Sequence, residues 1–515
     1  MLRSNGSMTS PTTRGGFRAR NIVINFFGQI IPLVVGIIAM PFVIKGLGVE
    51  SFGILSIAWM LLGYFTIFDL GLGRATTKFI AEELKKGEID SLRSIFWTSC
   101  RMNLVLGFIG GIIIAGIASF LAGYVFKISP GLIDATRTSF FILAASCPIV
   151  LVSIAFRGAL EAAERFDYVN SVSAVSSSLN FLLPIAGLLM GFDIRGIILI
   201  LMISRLCSAL AYLLLCFRVF PFLKGSISIN FIHIRRLLKY GGWVSVSNVI
   251  NPVITYLDRF LIGSLISIAA VTYYAAPYEI VTRLSILAMS ITMTLFPSFS
   301  AVNVAERNSL SGLYSRSIKL LIVFMTPLIA ILVIFAKNIL FLWLGVEFAE
   351  KSTVVFQILA IGILMNSLAQ IPYALIQGFG HPDITAKFHL IELMLYIPLA
   401  WFLVWKLGIV GGALAWTIRV TLDSLLLFAA SIKFISLDIL LDNGFKRCIS
   451  LVSLTICVLL GLYLFGGTIL FKIIISGGVL ILFAIAVWYY ALDVNEKKLF
   501  STTTQQFIGL ILGTK

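Results

Sequence analysis

The sequence predicts an all-α protein that crosses a membrane many times, in about fourteen transmembrane helices. Three observations predict it. Apolar residues make up 59% of the 515-residue chain and charged residues only 12%, against roughly 25% charged in an ordinary soluble protein. The apolar residues are gathered into runs of about 20, the length of helix that crosses a hydrocarbon core. The runs are apolar all round and show no strand-like alternation, so helices are the element that satisfies the backbone in lipid. With a mean hydropathy of +1.04, a cytosolic enzyme and a disordered chain are both excluded, because so few charges cannot cover so much apolar surface.

The elements follow in order. A cytoplasmic tail, 1–20, ends with Arg18 and Arg20 before the first apolar run. That run is longer than a signal peptide's apolar core and no A-x-A-like site follows it, so it is expected to stay as the first helix. Spans at 21–44, 52–72, 102–126, 138–160, 169–191 and 196–217 make an N-lobe, 21–217. A basic cytoplasmic connection, 218–241, leads to FIHIRRLLKYGGW, from Phe231 to Trp243. With Arg235, Arg236 and Lys239 it reads as an interfacial helix on anionic inner-leaflet lipid. Spans at 242–264, 270–297, 318–336, 353–377, 386–406 and 409–432 make a C-lobe, 242–432. Two further spans, 447–466 and 470–492, lie in 433–492 and look like an addition before a cytoplasmic tail, 493–515.

Charge sets the orientation. Lys plus Arg is 39 and Asp plus Glu is 23, a formal net charge of +16. With the N-terminus inside, and charges within about 3 residues of a span end counted with the adjoining loop, 27 Lys and Arg fall in inner loops, 8 in outer loops and 4 Arg within spans, which puts both termini in the cytoplasm. The basic excess is therefore first a topology signal, and no nucleic-acid partner is expected. The loops are too short for an extramembrane catalytic domain, and G-x-x-x-x-G-K-[ST] is absent. The six cysteines and three histidines have no metal or redox spacing. No cofactor or metal is expected, and whatever the chain does is expected to happen within the helices.

Two stretches match one another. PIAGLLMGFDIRG runs from Pro184 to Gly196, and PLAWFLVWKLGIVG from Pro398 to Gly411. Arg205 follows Gly196 by nine residues and Arg419 follows Gly411 by eight. The offset covers an even number of helices, so the two six-helix lobes are expected to be pseudo-symmetric parallel repeats, the kind that bind substrate between halves.

Charges within spans are the site candidates, since each costs at least about 2.5–3.5 kcal/mol at mid-membrane. Arg205, Arg283 and Arg419 fall near mid-depth. Asp258 and Arg259 fall in the outer third of the seventh helix, Glu279 in the outer half of the eighth, and Glu392 toward the inner side of the eleventh. Glu279 with Arg283, and Arg419 with Asp423, have the i,i+4 spacing of a pair on one helix face. The other reading is that these faces line one aqueous cavity. Arg205, Arg259, Arg283 and Arg419 would then bind phosphate through paired donors, and Asp258, Glu279 and Asp423 would couple to a proton or cation. Asp69, in FDLGLGRATTKFIAEE from Phe68, pairs with Arg74 in a cytoplasmic-gate reading. The alternative there is a surface helix held by local pairs of Lys78, Lys85 and Lys86 with Glu82 and Glu83.

Four stretches resemble the polysaccharide flippases of the multidrug/oligosaccharidyl-lipid/polysaccharide exporter superfamily, whose O-antigen repeat-unit members are the nearest in kind. They are LGVESFGILSIAWMLLGYFTIFDLGLGRATTKFIAEE from Leu47, YLDRFLIGSLISIAAVTYYAAPYEIV from Tyr256 with LFPSFS from Leu295, LIQGFGHPDITAKF from Leu375, and LGIVGGALAW from Leu407. The resemblance implies an undecaprenyl-pyrophosphate-linked glycan, turned from the inner to the outer leaflet of a bacterial inner membrane. It implies two six-helix lobes around a cationic cavity, and alternating access driven by an ion gradient, with proton and sodium both open. It also counts the polysaccharide polymerase machinery among the partners. A lipid II flippase and a multidrug exporter of the same superfamily stay open as alternatives. A membrane glycosyltransferase or polymerase is disfavoured by the short outer loops.

Overall fold

The structure is a computed structural model that describes residues 30–225, 231–289, 292, 307–435, 443–464, 468–493 and 497. Among the described residues all regular structure is helical. Ten described segments are long and apolar enough to cross a membrane. The expected tails, 1–20 and most of 493–515, lie outside the described residues.

The chain divides into two compact units. The first holds Met1–Ile280 and His389–Ala415, the second Val281–Phe388 and Trp416–Lys515. In the first, α1 (Ile30–Leu47) and α2 (Val49–Phe68) are separated by one residue, Gly48. The amphipathic α3 (Leu72–Lys86) follows, and its apolar side is buried through Leu72, Ala75, Phe79 and Ile80. Then come α4 (Ile89–Phe120), α5 (Ile133–Ala162), α6 (Phe166–Leu189) and α7 (Ile194–Val219). Asp193 caps α7 by accepting the Gly196 N–H at 3.1 Å. The third span, expected from 102, begins at Ile89 and runs through a wider last turn to Val125.

The basic segment from Phe231 runs without a break into the expected seventh span. They are one helix, α8 (Phe231–Leu265), of 35 residues, about 52 Å long at 1.5 Å per residue. The two glycines at 241 and 242 do not interrupt it. Arg236 ties its first turns to α3: Nη2 donates to Glu82 Oε2 at 2.6 Å and Nη1 to Glu83 Oε1 at 3.0 Å. Its guanidinium also lies 4.2 Å from the Phe79 ring centre. Arg236 is therefore engaged with protein, Arg235 is exposed, and the Lys239 side chain lies outside the described residues.

At one end of this unit α3, α4, α5 and α7 share a core of Leu72, Phe79, Phe96, Phe156, Leu160 and Cys216. At the opposite end, α8 turns into α9 (Ile268–Arg283), and this turn is stitched to the first helices. Lys127 N–H donates to Gly263 O at 3.0 Å, and Ile268 N–H to Lys127 O at 3.1 Å. Lys127 Nζ donates to Leu265 O at 2.5 Å, and Thr272 Oγ1 to Val49 O at 2.6 Å. Glu50 accepts both the N–H and the hydroxyl of Ser129 at 2.7 Å. Gly53 makes the contact possible: a Cβ there would lie 2.2 Å from Ile268 O.

Helix Pro382–Ser431 begins and ends in residues of the second unit and belongs to the first over His389–Ala415, and its path breaks at Gly408 (φ 62, ψ −138), a left-handed conformation suited to glycine. The break falls between the expected spans 386–406 and 409–432. Gly191, at the corresponding corner of the other matched stretch, also has positive φ, 77. In the second unit the last helices, Asn443–Leu464 and Ile469–Ala486, share a core of Cys448, Phe483, Val487 and Leu492 packed on Leu320 and Val323. Lys319, 3% exposed, donates to Ala491 O at 3.1 Å, so these helices are integral to the second unit.

Candidate functional site

The α8–α9 hairpin brings Asp258 and Arg259 beside Tyr274, Tyr278 and Glu279. Asp258 is fully buried and Arg259 is 2% exposed. The Tyr274 hydroxyl donates to Asp258 Oδ2, and the Arg259 N–H donates to Oδ1 at 2.7 Å. Arg259 Nη2 donates to Glu279 Oε1 at 3.0 Å. The rings of Tyr278 and Tyr256 stand 4.7 and 5.7 Å from the guanidinium, and Tyr64 of α2 meets Tyr256 edge-on at 5.7 Å. A guanidinium in lipid is tolerated when paired and shielded in this way. Arg259 thus has a partner twenty residues along the chain.

Arg205 is placed differently. On α7, Leu199, Ile203, Leu206, Leu210 and Leu214 are exposed apolar side chains. Arg205 lies two residues past Ile203, about 200° round the helix, on the side away from that face. It is half-buried, and its Nε is sealed from solvent with no acceptor. Among the described residues no acid lies within ion-pair distance of it. A desolvated guanidinium with open donors is a group that an anion completes.

Asp69 is buried at 4% exposure and serves the start of α3: Gly73 N–H donates to Oδ1 at 3.1 Å and to Oδ2 at 3.3 Å. Burial pushes its carboxyl up to about 6, against the opposing pull of the Gly73 and Gly71 N–H groups and Arg74. Arg74 is exposed, and among the described residues no ion pair joins it to Asp69. The gate reading loses that pair; the carboxylate caps a helix instead.

Of the remaining candidates, Glu392 is buried in the first unit at 1% exposure, and the others lie in the second: Arg283 and Arg419 are half-buried and Asp423 is 9% exposed. The tyrosines around Arg259 were not singled out from sequence, although Tyr274 and Tyr278 share one helix face at i,i+4. Nor was the polar face of α6, where Asn170, Ser173, Ser177 and Asn180 recur at helical spacing.

A family profile described as "Polysaccharide biosynthesis protein" matches residues 19–303. A Shigella flexneri protein named "Putative O-antigen transporter" is 31% identical over 415 residues, 79% of this chain and 96% of that protein. A Haloferax volcanii protein named "Probable flippase AglR" is 21% identical, covering 79% and 82%. The fold is similar to that of the lipid II flippase MurJ in an inward closed conformation, with a TM-score of 0.70 at 15% identity over 92% of this chain and 99% of that one. It is also similar to an inward-facing multidrug resistance MATE family transporter of the MOP superfamily, with a TM-score of 0.65 at 16% identity, covering 79% and 97%. With the profile spanning more than half its length and a relative above 30% identity along most of both chains, this chain belongs to the polysaccharide biosynthesis protein family of membrane proteins.

Proposed function

We propose that the chain is a flippase, not an enzyme, and that it moves an undecaprenyl-pyrophosphate-linked repeat unit of O-antigen or another surface polysaccharide between leaflets of the inner membrane. The observation that carries this is Arg205: a guanidinium away from the lipid-facing side, without an acid partner among the described residues, in a chain 31% identical to a protein named as an O-antigen transporter. Arg205 takes the pyrophosphate. Arg259 does not share that task, since Glu279 already neutralises it. Transport runs by alternating access coupled to a proton or sodium gradient, and Asp258, sealed beside Tyr274, is the carboxylate suited to bind the coupling ion. Both termini face the cytoplasm, which puts α3 on the cytoplasmic side, where exposed Arg235 meets anionic lipid.

The test uses a strain lacking its own O-antigen flippase. The chain should restore surface polysaccharide, and Arg205→Ala should abolish the restoration at normal protein abundance. Restoration of lipid II flipping alone, with no surface polysaccharide, would replace this reading.

A further inference from the structure

α6 carries polar residues where a membrane helix ordinarily carries Leu or Val. Asn170, Ser173, Ser177 and Asn180 are spaced by three, four and three residues, which stacks them along one face. The exposed large apolar side chains of α6 are Phe166 at its first position, then Val175, Leu182 and Leu189, and the last three form a heptad row that faces lipid. Ser173 and Ser177 stand two residues either side of Val175, about 200° round the helix. The polar row therefore lies opposite the lipid face.

Three of these side chains, Ser173, Ser177 and Asn180, are not consumed by bonds along their own helix. Ser171 and Ser178 donate back to carbonyls on their own helix, Asp167 O and Ala174 O. Ser173, Ser177 and Asn180 make no such bond among the described residues, yet they are only half-buried. At membrane depth, polar groups that are neither bonded to protein nor turned to lipid line a water-filled space.

A second observation points to a ligand there. α6 and α7 form a hairpin whose turn ends at Asp193. Arg205 lies twelve residues past Asp193 and Ser177 thirteen residues before Met190, so both sit about 18–20 Å from the turn. The open guanidinium and the polar row share one level, each turned from its own helix's lipid face.

Hydroxyls and amides in a row are donors and acceptors without charge, the groups that match the hydroxyls of a sugar chain. We propose that Ser173, Ser177 and Asn180 of α6 are a sugar-recognising track that holds the glycan next to the pyrophosphate at Arg205. The assignment rests on the flippase reading above and adds which part of the substrate α6 reads. Longer glycans make more contacts along the row, so the track selects for chain length.

The test reconstitutes the full chain in proteoliposomes with two probes, a polyprenyl pyrophosphate bearing one neutral sugar and one bearing four. The triple variant Ser173→Ala, Ser177→Ala, Asn180→Ala should slow the four-sugar probe about tenfold, the loss of one or two hydrogen bonds, and the one-sugar probe less than about twofold. Its thermal unfolding should match the parent's, because alanine is a good helix former at half-buried positions. Arg205→Ala should slow both probes alike. Parent-like transport of both probes by the triple variant overturns the sugar track, as does equal loss of both with unfolding unchanged. If Arg205→Ala leaves both probes unaffected while the triple variant still discriminates, the pyrophosphate assignment fails and the track stands.

Discussion

Arg259 Nη2 stands 3.0 Å from Glu279 Oε1, joining α8 to α9 through a pair that is nearly dry on the arginine side. Removing one partner leaves the other buried and uncompensated, so Arg259→Ala should destabilise by about 3–5 kcal/mol. Glu279→Gln should do the same to a lesser degree. The double variant Arg259→Met, Glu279→Met should recover thermal stability in detergent and with it much of the export activity. A double variant that melts like the parent yet exports nothing would return Arg259 to substrate binding.

Arg205 should behave in the opposite way. With no acid to orphan among the described residues, Arg205→Ala should keep or raise the unfolding temperature while glycan export falls at least about tenfold, the value of a charge-assisted hydrogen bond. Arg205→Lys should recover only part of it, because an ammonium lacks the paired donors of the guanidinium.

Asp69 carries a pH signature. Its folded carboxyl is raised to about 6, above the unfolded value, so between pH 4 and 6 the folded state binds the extra proton. Stability should rise as pH falls from 7 toward 4, by at most about 3 kcal/mol. Unfolding of Asp69→Asn across the same range should lack that component, and at pH 7.5 the variant should be at least as stable as the parent.

Glu83 gives the opposite sign. Burial pushes its carboxyl up, but the hydrogen bonds of Arg236 and Lys86 outweigh this and hold it below the usual carboxylate range. Its contribution is present above that range and is lost only as pH falls through the lowered value. Arg236→Ala should cost about 1–3 kcal/mol, and the difference from the parent should be flat from pH 8 to 5, shrinking only in stronger acid.

Gly53 should not accept a side chain. Its missing Cβ is what lets Ile268 O approach, so Gly53→Leu should part the junction of α2 with the α8–α9 turn. A cysteine placed at Ser267 should then react faster with an impermeant thiol reagent added outside. Unchanged reactivity would mean that the junction reforms around leucine.

Much of the fold was legible because membrane helices announce themselves by run length. The break between two expected spans at 406 and 409 coincides with Gly408, since the glycine and the end of the apolar run sit together in the sequence. The continuity of the seventh helix is less legible: residues 231–241 are polar enough to read as a surface segment, and one of them, Arg236, finds Glu82 and Glu83 on α3. Pairing rules along one helix likewise find neighbours at i,i+4 and miss Arg259 with Glu279, which a hairpin brings together. The cap role of Asp69 depends on the chain reversing at Leu70 and Gly71, both with positive φ, a turn that charge patterning does not reveal.

α8 is fastened near both ends, by Arg236 to α3 and through Gly263 O to Lys127. Between the fastenings stands Pro252, which has no N–H to give and so leaves one rung of the helix open. A strut pinned at each end can change the spacing of its anchors only by flexing where it is weakest. Any rearrangement that keeps the Arg236 clasp while freeing Lys127 must pass its movement through that one joint, and Pro252→Ala would make the strut stiff without touching either anchor.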